Sequence, residues 1–130
     1  MNKQINISDS EWKVMCVLWE KHPLMSSQII QRLEANNWKP NTIHTLLSRL
    51  ENKKIIGVEK KSRFKEYYPL VSREECQIIE TKSFIKKVYD GSIKMFLSSY
   101  INQDNLSQDD IEYLKKLIEE KELNRSKKND

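Results

Sequence analysis

The fold of this chain is decided by residues 38–54, which read WKPNTIHTLLSRLENKK. Apolar side chains in this segment follow the spacing i, i+3, i+4, i+7, which is one face of an α-helix. These residues are Ile43, Leu46, Leu47 and Leu50. The opposite face has no acidic residue, and it consists of Asn41, His44, Thr45, Ser48, Arg49 and Asn52. Nearly all of these side chains can donate a hydrogen bond, either to water or to the acceptor groups in the major groove of DNA.

Two further helices are predicted before this segment. The sequence SDSE at 8–11 is a capping box, in which Ser8 caps a helix and Glu11 hydrogen-bonds back to it. Pro23 interrupts that helix, and a second apolar stripe begins near Ser26. Pro40 suits the first turn of the third helix, because its missing N–H is not needed there.

A β-hairpin is predicted directly after the third helix. Residues 55–60 and 64–70 form two short runs rich in β-branched and aromatic side chains, and the turn between them is the basic sequence KKSR at 60–63. Three short helices followed by a hairpin predict a winged helix-turn-helix domain over residues 1–71. The fold class is therefore mainly α with one small β-hairpin.

The second half of the chain is predicted to be helical throughout. Ser72 and Ser107 begin capping sequences, and Gly91 suits the end of a helix. Three amphipathic helices in so few residues cannot bury all their apolar stripes within one small domain, so residues 72–122 are predicted to form a dimerisation domain. Its contact residues are predicted to be Ile85, Val88, Tyr89, Phe96, Leu97, Tyr100, Ile111, Leu114, Leu117 and Ile118. The polar residues 123–130 are predicted to be a disordered tail.

Charge is divided unevenly between the two halves. Residues 1–71 carry 12 basic and 7 acidic side chains, whereas residues 72–130 carry 11 and 12. A basic first half favours a polyanionic partner such as DNA. Base readout is predicted for Asn41, Thr42, His44, Thr45 and Ser48, and phosphate contacts are predicted for Arg49, Lys53, Lys60, Lys61 and Arg63. The alternatives are a solvated helix face and a winged-helix module that binds protein.

Other classes of function find little support in the composition. The 2 cysteines, Cys16 and Cys76, lie far apart in apolar helical patterns, which favours reduced, buried thiols over a disulfide or a metal site. No zinc ligand set, cofactor motif or catalytic constellation can be recognised, so no enzyme activity is predicted. No apolar run approaches the roughly 20 residues that span a bilayer, and the N-terminus lacks a signal-peptide core. These features favour a cytoplasmic protein without membrane insertion.

Longer motifs resemble a known family. They are ISDSEWKVMCVLW at 7–19, PNTIHTLLSRL at 40–50, the hairpin GVEKK…YYPLVS at 57–72, TKSFIKKVYDG at 81–91 and DNLSQDDIEYLKKLI at 104–118. Together they resemble the penicillinase-repressor family of the BlaI/MecI type over nearly the whole chain. The resemblance implies a homodimeric winged-helix repressor of β-lactam resistance genes that binds inverted-repeat operators. It also implies release by proteolysis, triggered by a membrane-bound β-lactam sensor-transducer protease.

The chain departs from the family pattern at several positions. Asn41 and His44 stand where members usually have Lys and Arg, so base readout is expected to differ. The family's cleavage bond joins Asn to Phe in the penultimate helix, and the corresponding residues here are Ser99 and Tyr100. A copper-responsive branch of the family carries C-terminal C-x-C motifs, which this sequence lacks. A winged-helix repressor of another stress or metal-response operon remains the alternative within this fold.

Overall fold

The computed structural model describes residues 5–129, which fall into two compact units that divide between Ser83 and Phe84. The first unit holds most of the buried core and all the strands found in the described part of the chain. In chain order the elements are α1 (Asp9–Glu20), β1 (Leu24–Met25), α2 (Ser26–Arg32), a 3₁₀ turn (Glu34–Asn36), α3 (Pro40–Asn52), β2 (Ile56–Lys61), β3 (Phe64–Pro69), α4 (Arg73–Tyr89), α5 (Ile93–Ile101) and α6 (Gln108–Asn129).

Helix α3 is held by the apolar face that the sequence predicts. Its buried residues are Ile43, Leu46, Leu47 and Leu50, none more than 4% exposed. They belong to one core with side chains of α1 and α2, both of which pack against α3. Pro40 occupies the first turn as predicted. Truncating one of the buried leucines to alanine would lower the free energy of unfolding by about 2–5 kcal/mol. Because burying this face is so favourable, the opposite face of α3 is the one that stays exposed.

The hairpin confirms the predicted wing, with strand bounds shifted by one residue. Strands β2 and β3 pair antiparallel, with Lys61 opposite Phe64, so only Ser62 and Arg63 form the loop. Ser62 has a positive φ of 50°, as tight two-residue hairpin loops require. Gly57 pairs with Tyr68 towards the other end of the hairpin, and a Cβ atom at Gly57 would lie 2.5 Å from the ring of Tyr68. Glycine is therefore needed there to let the tyrosine ring cross the strand.

A third strand was not predicted from the sequence. Residues Leu24–Met25 form β1, which pairs antiparallel with β3 and gives the strand order β1-β3-β2. Two residues are too few to show the alternation that identifies a strand in a sequence. This strand places the beginning of α2 beside the wing.

The second unit contains the end of α4 together with α5 and α6. Ser92 and Ser107 cap the latter two helices by accepting hydrogen bonds from Met95 N at 3.1 Å and Asp110 N at 3.1 Å. Helix α4 ends where Asp90 and Gly91 both take positive φ. A cluster of aromatic rings surrounds one side chain of α5, with centroids 5.4–6.2 Å from the Phe96 ring. The cluster consists of Phe84, Tyr89, Phe96 and Tyr100.

The unit boundary and the C-terminal residues differ from the sequence prediction. The compact units divide after Ser83 instead of after residue 71, because the first turns of α4 belong to the first core through Cys76, which is 1% exposed. Helix α6 continues to Asn129, through the segment for which disorder was predicted. Leu123, Arg125, Lys127 and Lys128 in that segment are good helix formers, and Lys127 and Lys128 in the last turn favour the negative end of the helix dipole.

Cys76 has the buried, structural environment that the sequence favours. Burial raises the pKa of its thiol to about 11, and Glu75 and Glu80 add to the effect. The thiolate is therefore scarce at neutral pH, which makes Cys76 unreactive. None of the helices within residues 5–129 is both long and apolar enough to cross a bilayer.

An ion pair between a buried carboxylate and a lysine whose side chain is 38% exposed joins the beginning of α1 to the end of α3. Glu11 is 1% exposed, and its carboxylate accepts hydrogen bonds from Lys53 Nζ at 2.7 and 3.0 Å and from Ser8 N at 2.8 Å. Burial acts to raise the pKa of Glu11, but the hydrogen bonds from Lys53 and Ser8 outweigh it, so the pKa lies below its ordinary value. The charged carboxylate is thus favoured in the folded state.

This pair predicts a pH-dependent contribution to stability. Because the pKa of Glu11 is lowered by folding, its contribution is present above the ordinary carboxylate pKa of 4.5 and is lost as the pH falls below it. Wild type should exceed Glu11→Gln in free energy of unfolding at pH 7, and the difference should narrow towards pH 3. Chemical denaturation at several pH values measures it. The exposed Glu20 at the other end of α1 supplies a control, since Glu20→Gln should show no such convergence. A difference that stays constant with pH would contradict the assignment.

Candidate nucleic-acid interface

The exposed face of α3 carries the residues that the sequence assigns to base readout. Asn41, Thr42, His44, Thr45 and Ser48 are all exposed, as is Arg49. The hydroxyl of Thr45 donates to the carbonyl oxygen of Asn41 at 2.9 Å. Its single proton is therefore used within the helix, and its methyl group and oxygen lone pairs remain available to a partner.

One acidic residue on α3 was overlooked in the sequence analysis. Glu51 is exposed and lies seven residues, or about two turns, beyond His44, which places both on the same side of the helix. The pKa of Tyr67 on β3 is raised, chiefly by burial and also by the charge of Glu51. The face free of acidic groups therefore covers only the first turns of α3, where the predicted base readers lie.

The wing presents the predicted basic side chains. Lys60, Lys61 and Arg63 are exposed. Lys61 Nζ lies 3.1 Å from Glu66 Oε1, and this contact raises the pKa of Lys61. Because the pair is exposed to solvent, it is weak and leaves Lys61 free to exchange partners.

A groove in the first unit brings α3, the beginning of α2 and the wing together. Side chains from all three segments line it, including His44 from α3 and Lys60 and Arg63 from the wing. Other side chains that line the groove were not predicted from the sequence, and they include Ser26, Ser27, Phe64 and Lys65. The basic character of the hairpin could have identified Lys65, but Ser26 and Ser27 reach the groove only because β1 pairs with β3. The groove combines hydroxyl and cationic donors, which is the chemistry that contacts a phosphate backbone.

Lys53 departs from its predicted role as a phosphate contact. Its Nζ donates to both oxygens of Glu11 and to the carbonyl oxygen of Asn6 at 2.9 Å. In the sequence, Lys53 is simply one more basic side chain near the end of α3, which is why a phosphate contact is predicted for it. In the folded chain its ammonium group pairs with a buried carboxylate, while the side chain of Lys53 itself is 38% exposed.

The residues assigned to dimer contacts fall into two groups. Ile85 is 7% exposed, and Tyr89, Phe96 and Ile111 are partly buried within the single chain. Ile85 is therefore buried within one copy. The remaining assigned residues are exposed, namely Val88, Leu97, Tyr100, Leu114, Leu117 and Ile118. Ser99 and Tyr100, assigned to the cleavage position, are also exposed and lie near the end of α5.

Comparison with known proteins establishes the family. The model of the penicillinase repressor family matches residues 7–120. The chain belongs to the penicillinase repressor family. It is 35% identical over 121 residues to the methicillin resistance regulatory protein MecI of Staphylococcus aureus strain N315, covering 92% of this chain and 98% of that protein. It is 30% identical over 121 residues to the penicillinase repressor of Bacillus licheniformis, with coverages of 92% and 94%. Members of the penicillinase repressor family regulate transcription and are not enzymes.

Solved structures agree with the winged-helix fold of this penicillinase repressor family member. The DNA-binding domain of the repressor BlaI is 33% identical, with a TM-score of 0.52, and covers 58% of this chain and 93% of that one. Monomeric BlaI of Bacillus licheniformis in complex with the blaP half-operator gives 33% identity, a TM-score of 0.50 and the same coverage. A point mutant of Staphylococcus aureus MepR, at 19% identity and a TM-score of 0.51 over 91% of this chain and 79% of that one, shares the fold.

Proposed function

We propose that this chain is a cytoplasmic, homodimeric repressor that binds inverted-repeat operator DNA at β-lactam resistance genes. The observation that carries the proposal is the groove joining the exposed face of α3 to the basic wing. Asn41, Thr42, His44, Thr45 and Ser48 read base edges, while Arg49, Lys60, Lys61 and Arg63 contact phosphates. The BlaI relative whose structure contains a blaP half-operator supports this assignment.

The exposed apolar surface of the second unit supports a dimer. Within residues 84–128, several large apolar side chains are 44–62% exposed, and they include Ile93, Leu97, Leu117, Ile118 and Leu123. Surface of this kind on a single chain marks an interaction site, because leaving it in water is unfavourable. A second copy presents the same surface and gives the symmetric pair of DNA-binding units that an inverted repeat requires.

A protein-binding role for α3 is less consistent with the structure. Centres of protein interfaces are usually built around an aromatic or aliphatic anchor. The isoleucine and leucine residues of α3 are buried, whereas its exposed residues after Pro40 are polar. Polar donors without an apolar anchor suit a groove of base edges better than a protein surface.

Release from DNA is proposed to follow cleavage between Ser99 and Tyr100, carried out by a membrane-bound β-lactam sensor-transducer protease or under its control. Both residues lie near the end of α5, a helix of nine residues. Helix ends open more readily than helix centres, which lets a protease hold the bond in an extended form. A cut there would separate most of α5 from α6 and so divide the proposed dimer surface.

The direct test is genome-wide occupancy of the chain with and without a β-lactam in cells that encode it. We expect occupancy at inverted repeats upstream of β-lactam resistance genes, and its loss after exposure to the antibiotic. Occupancy that is unchanged by a β-lactam, at genes of another response, would instead favour the alternative of a repressor of a different operon.

The proposed docking separates base readout from phosphate contact. Thr45→Ala should reduce discrimination between operator and altered sequences, at a cost of about 1–3 kcal/mol for a good base contact. Arg63→Ala should weaken binding to all sequences about equally and lower the salt slope by about one. Binding titrations over a range of salt concentrations measure both effects, with Arg63→Lys as the charge-conserving control. If Arg63→Ala altered sequence preference and Thr45→Ala did not, the proposed docking orientation would be wrong.

Dimerisation is tested on apolar side chains that are exposed in a single copy of the chain. Leu97→Asp/Ile118→Asp should give folded monomers, because two charges are introduced into the exposed apolar surface. Operator affinity should fall as the two half-sites lose their linkage. The matched control is Ser98→Asp/Ser126→Asp, which adds the same charge to polar positions of the same helices. Sedimentation velocity at micromolar concentration gives the oligomeric state, and a monomeric wild type would contradict the proposal.

Cleavage is tested by the fragments that form in cells. After β-lactam exposure, mass spectrometry should detect a fragment that begins at Tyr100. Tyr100→Ala should slow its appearance and prolong repression, because the aromatic residue at the cut is removed. Tyr113→Ala, which changes an exposed tyrosine of α6, should leave cleavage unchanged. An intact chain in derepressed cells would refute release by proteolysis.

A further inference from the structure

The ion pair between Glu11 and Lys53 lies outside the groove assigned to DNA. Glu11 lies in the first turn of α1, and Lys53 is the C-cap residue that directly follows α3. Glu11 is the one buried charged residue in the described part of the chain. A buried carboxylate is costly unless a cation and hydrogen bonds compensate it, and Lys53 and Ser8 provide both.

The ammonium group of Lys53, whose side chain is 38% exposed, is engaged by three acceptors within the chain, with which a phosphate would have to compete. A lysine ammonium has three N–H donors. In this structure its three acceptors are Glu11 Oε1 at 2.7 Å, Glu11 Oε2 at 3.0 Å and the carbonyl oxygen of Asn6 at 2.9 Å. A phosphate contact would require Lys53 to leave a buried carboxylate unpaired, which is strongly unfavourable.

The same hydrogen bonds connect the end of α3 to two other segments. Asn6 precedes the cap of α1, and Glu11 is fixed by its reciprocal hydrogen bonds with Ser8. The end of α3 is therefore tied to the beginning of α1 as well as packed against its side. Thr45 lies eight residues from Lys53, or about 12 Å along the helix axis. A small tilt at the Lys53 end would thus move the readers relative to base edges.

We propose that Glu11 and Lys53 are positioning residues for operator recognition, which fix the orientation of α3 without touching DNA. This inference rests on the proposed function, because it assumes that α3 reads bases. It assigns to Lys53 an effect on sequence discrimination that does not depend on neutralising a phosphate. Glu11 shares that effect, although its own negative charge would repel a phosphate.

The experiment compares Lys53→Met, Glu11→Gln and the double variant with wild type. The double variant leaves no unpaired buried charge, so it remains testable if Lys53→Met does not fold. Affinity for an operator and for one with a substituted base pair is measured over a range of salt concentrations, at a temperature where each variant is folded. Lys60→Met is the reference for a lost phosphate contact. Lys13→Met is the control for losing a lysine with a single exposed contact, here 3.2 Å to Asn36 Oδ1.

We expect both Lys53→Met and Glu11→Gln to reduce discrimination, by roughly tenfold at the substituted base pair, which is the effect of about one mismatch. Their salt slopes should equal that of wild type, whereas Lys60→Met should lower the slope by about 0.9 with discrimination unchanged. Lys13→Met should change neither quantity.

Two results would overturn the inference. One is a salt slope lowered by about one in Lys53→Met with discrimination intact, which would make Lys53 a phosphate contact. The other is unchanged discrimination in folded Glu11→Gln and in the double variant, which would show that the pair contributes to folding stability and not to sequence recognition. The proposed function fails separately, if wild type itself shows no sequence preference and no salt dependence.

Discussion

Burial of one face of α3 is the constraint on which the first unit depends. The four apolar residues of that face pack in one core against α1, α2 and β2, and so they determine which side chains of the same helix stay in water. The backbone hydrogen bonds of this helix of 13 residues are indifferent to rotation about its axis, so its orientation depends on contacts such as this packing. The position of the polar face is thus set by packing of the apolar one.

Charge refines what packing establishes. In a basic half-chain the lysines look alike in sequence, yet the fold gives them different environments. Lys60 is exposed at the wing, Lys61 meets Glu66 at the surface, and Lys53, itself 38% exposed, pairs with a buried carboxylate 42 residues away. A surface pair such as Lys61–Glu66 contributes little to stability. A pair that includes a buried carboxylate, such as Lys53–Glu11, is costly to break and so restricts the relative positions of the two helices it joins. The family relationship describes the overall plan, and these local environments decide which cations are available to a ligand.

The success of the sequence predictions follows the range of the interactions involved. The capping box at Ser8, the buried face of α3 and the wing depend on residues close in the sequence, and the structure confirms them. Strand β1 was missed because its pairing with β3 joins Leu24 to Tyr67, and no local pattern records such a partner. The role of Lys53 was missed for the same reason. In the second unit, periodicity identified apolar stripes but could not separate Ile85, buried within one chain, from the exposed Leu97.

The internal hydrogen bond of Thr45 has a consequence for the chemistry that α3 can recognise. With its proton held by the carbonyl oxygen of Asn41, the side chain keeps one rotamer, and little further conformational entropy is lost when a partner binds. What it offers is a methyl group and an acceptor oxygen, and the methyl group matches the C5-methyl of thymine. 5-Methylcytosine carries a methyl group at the same ring position. A base read through this contact alone would therefore be sensitive to cytosine methylation, and a methylated cytosine would resemble thymine to the protein.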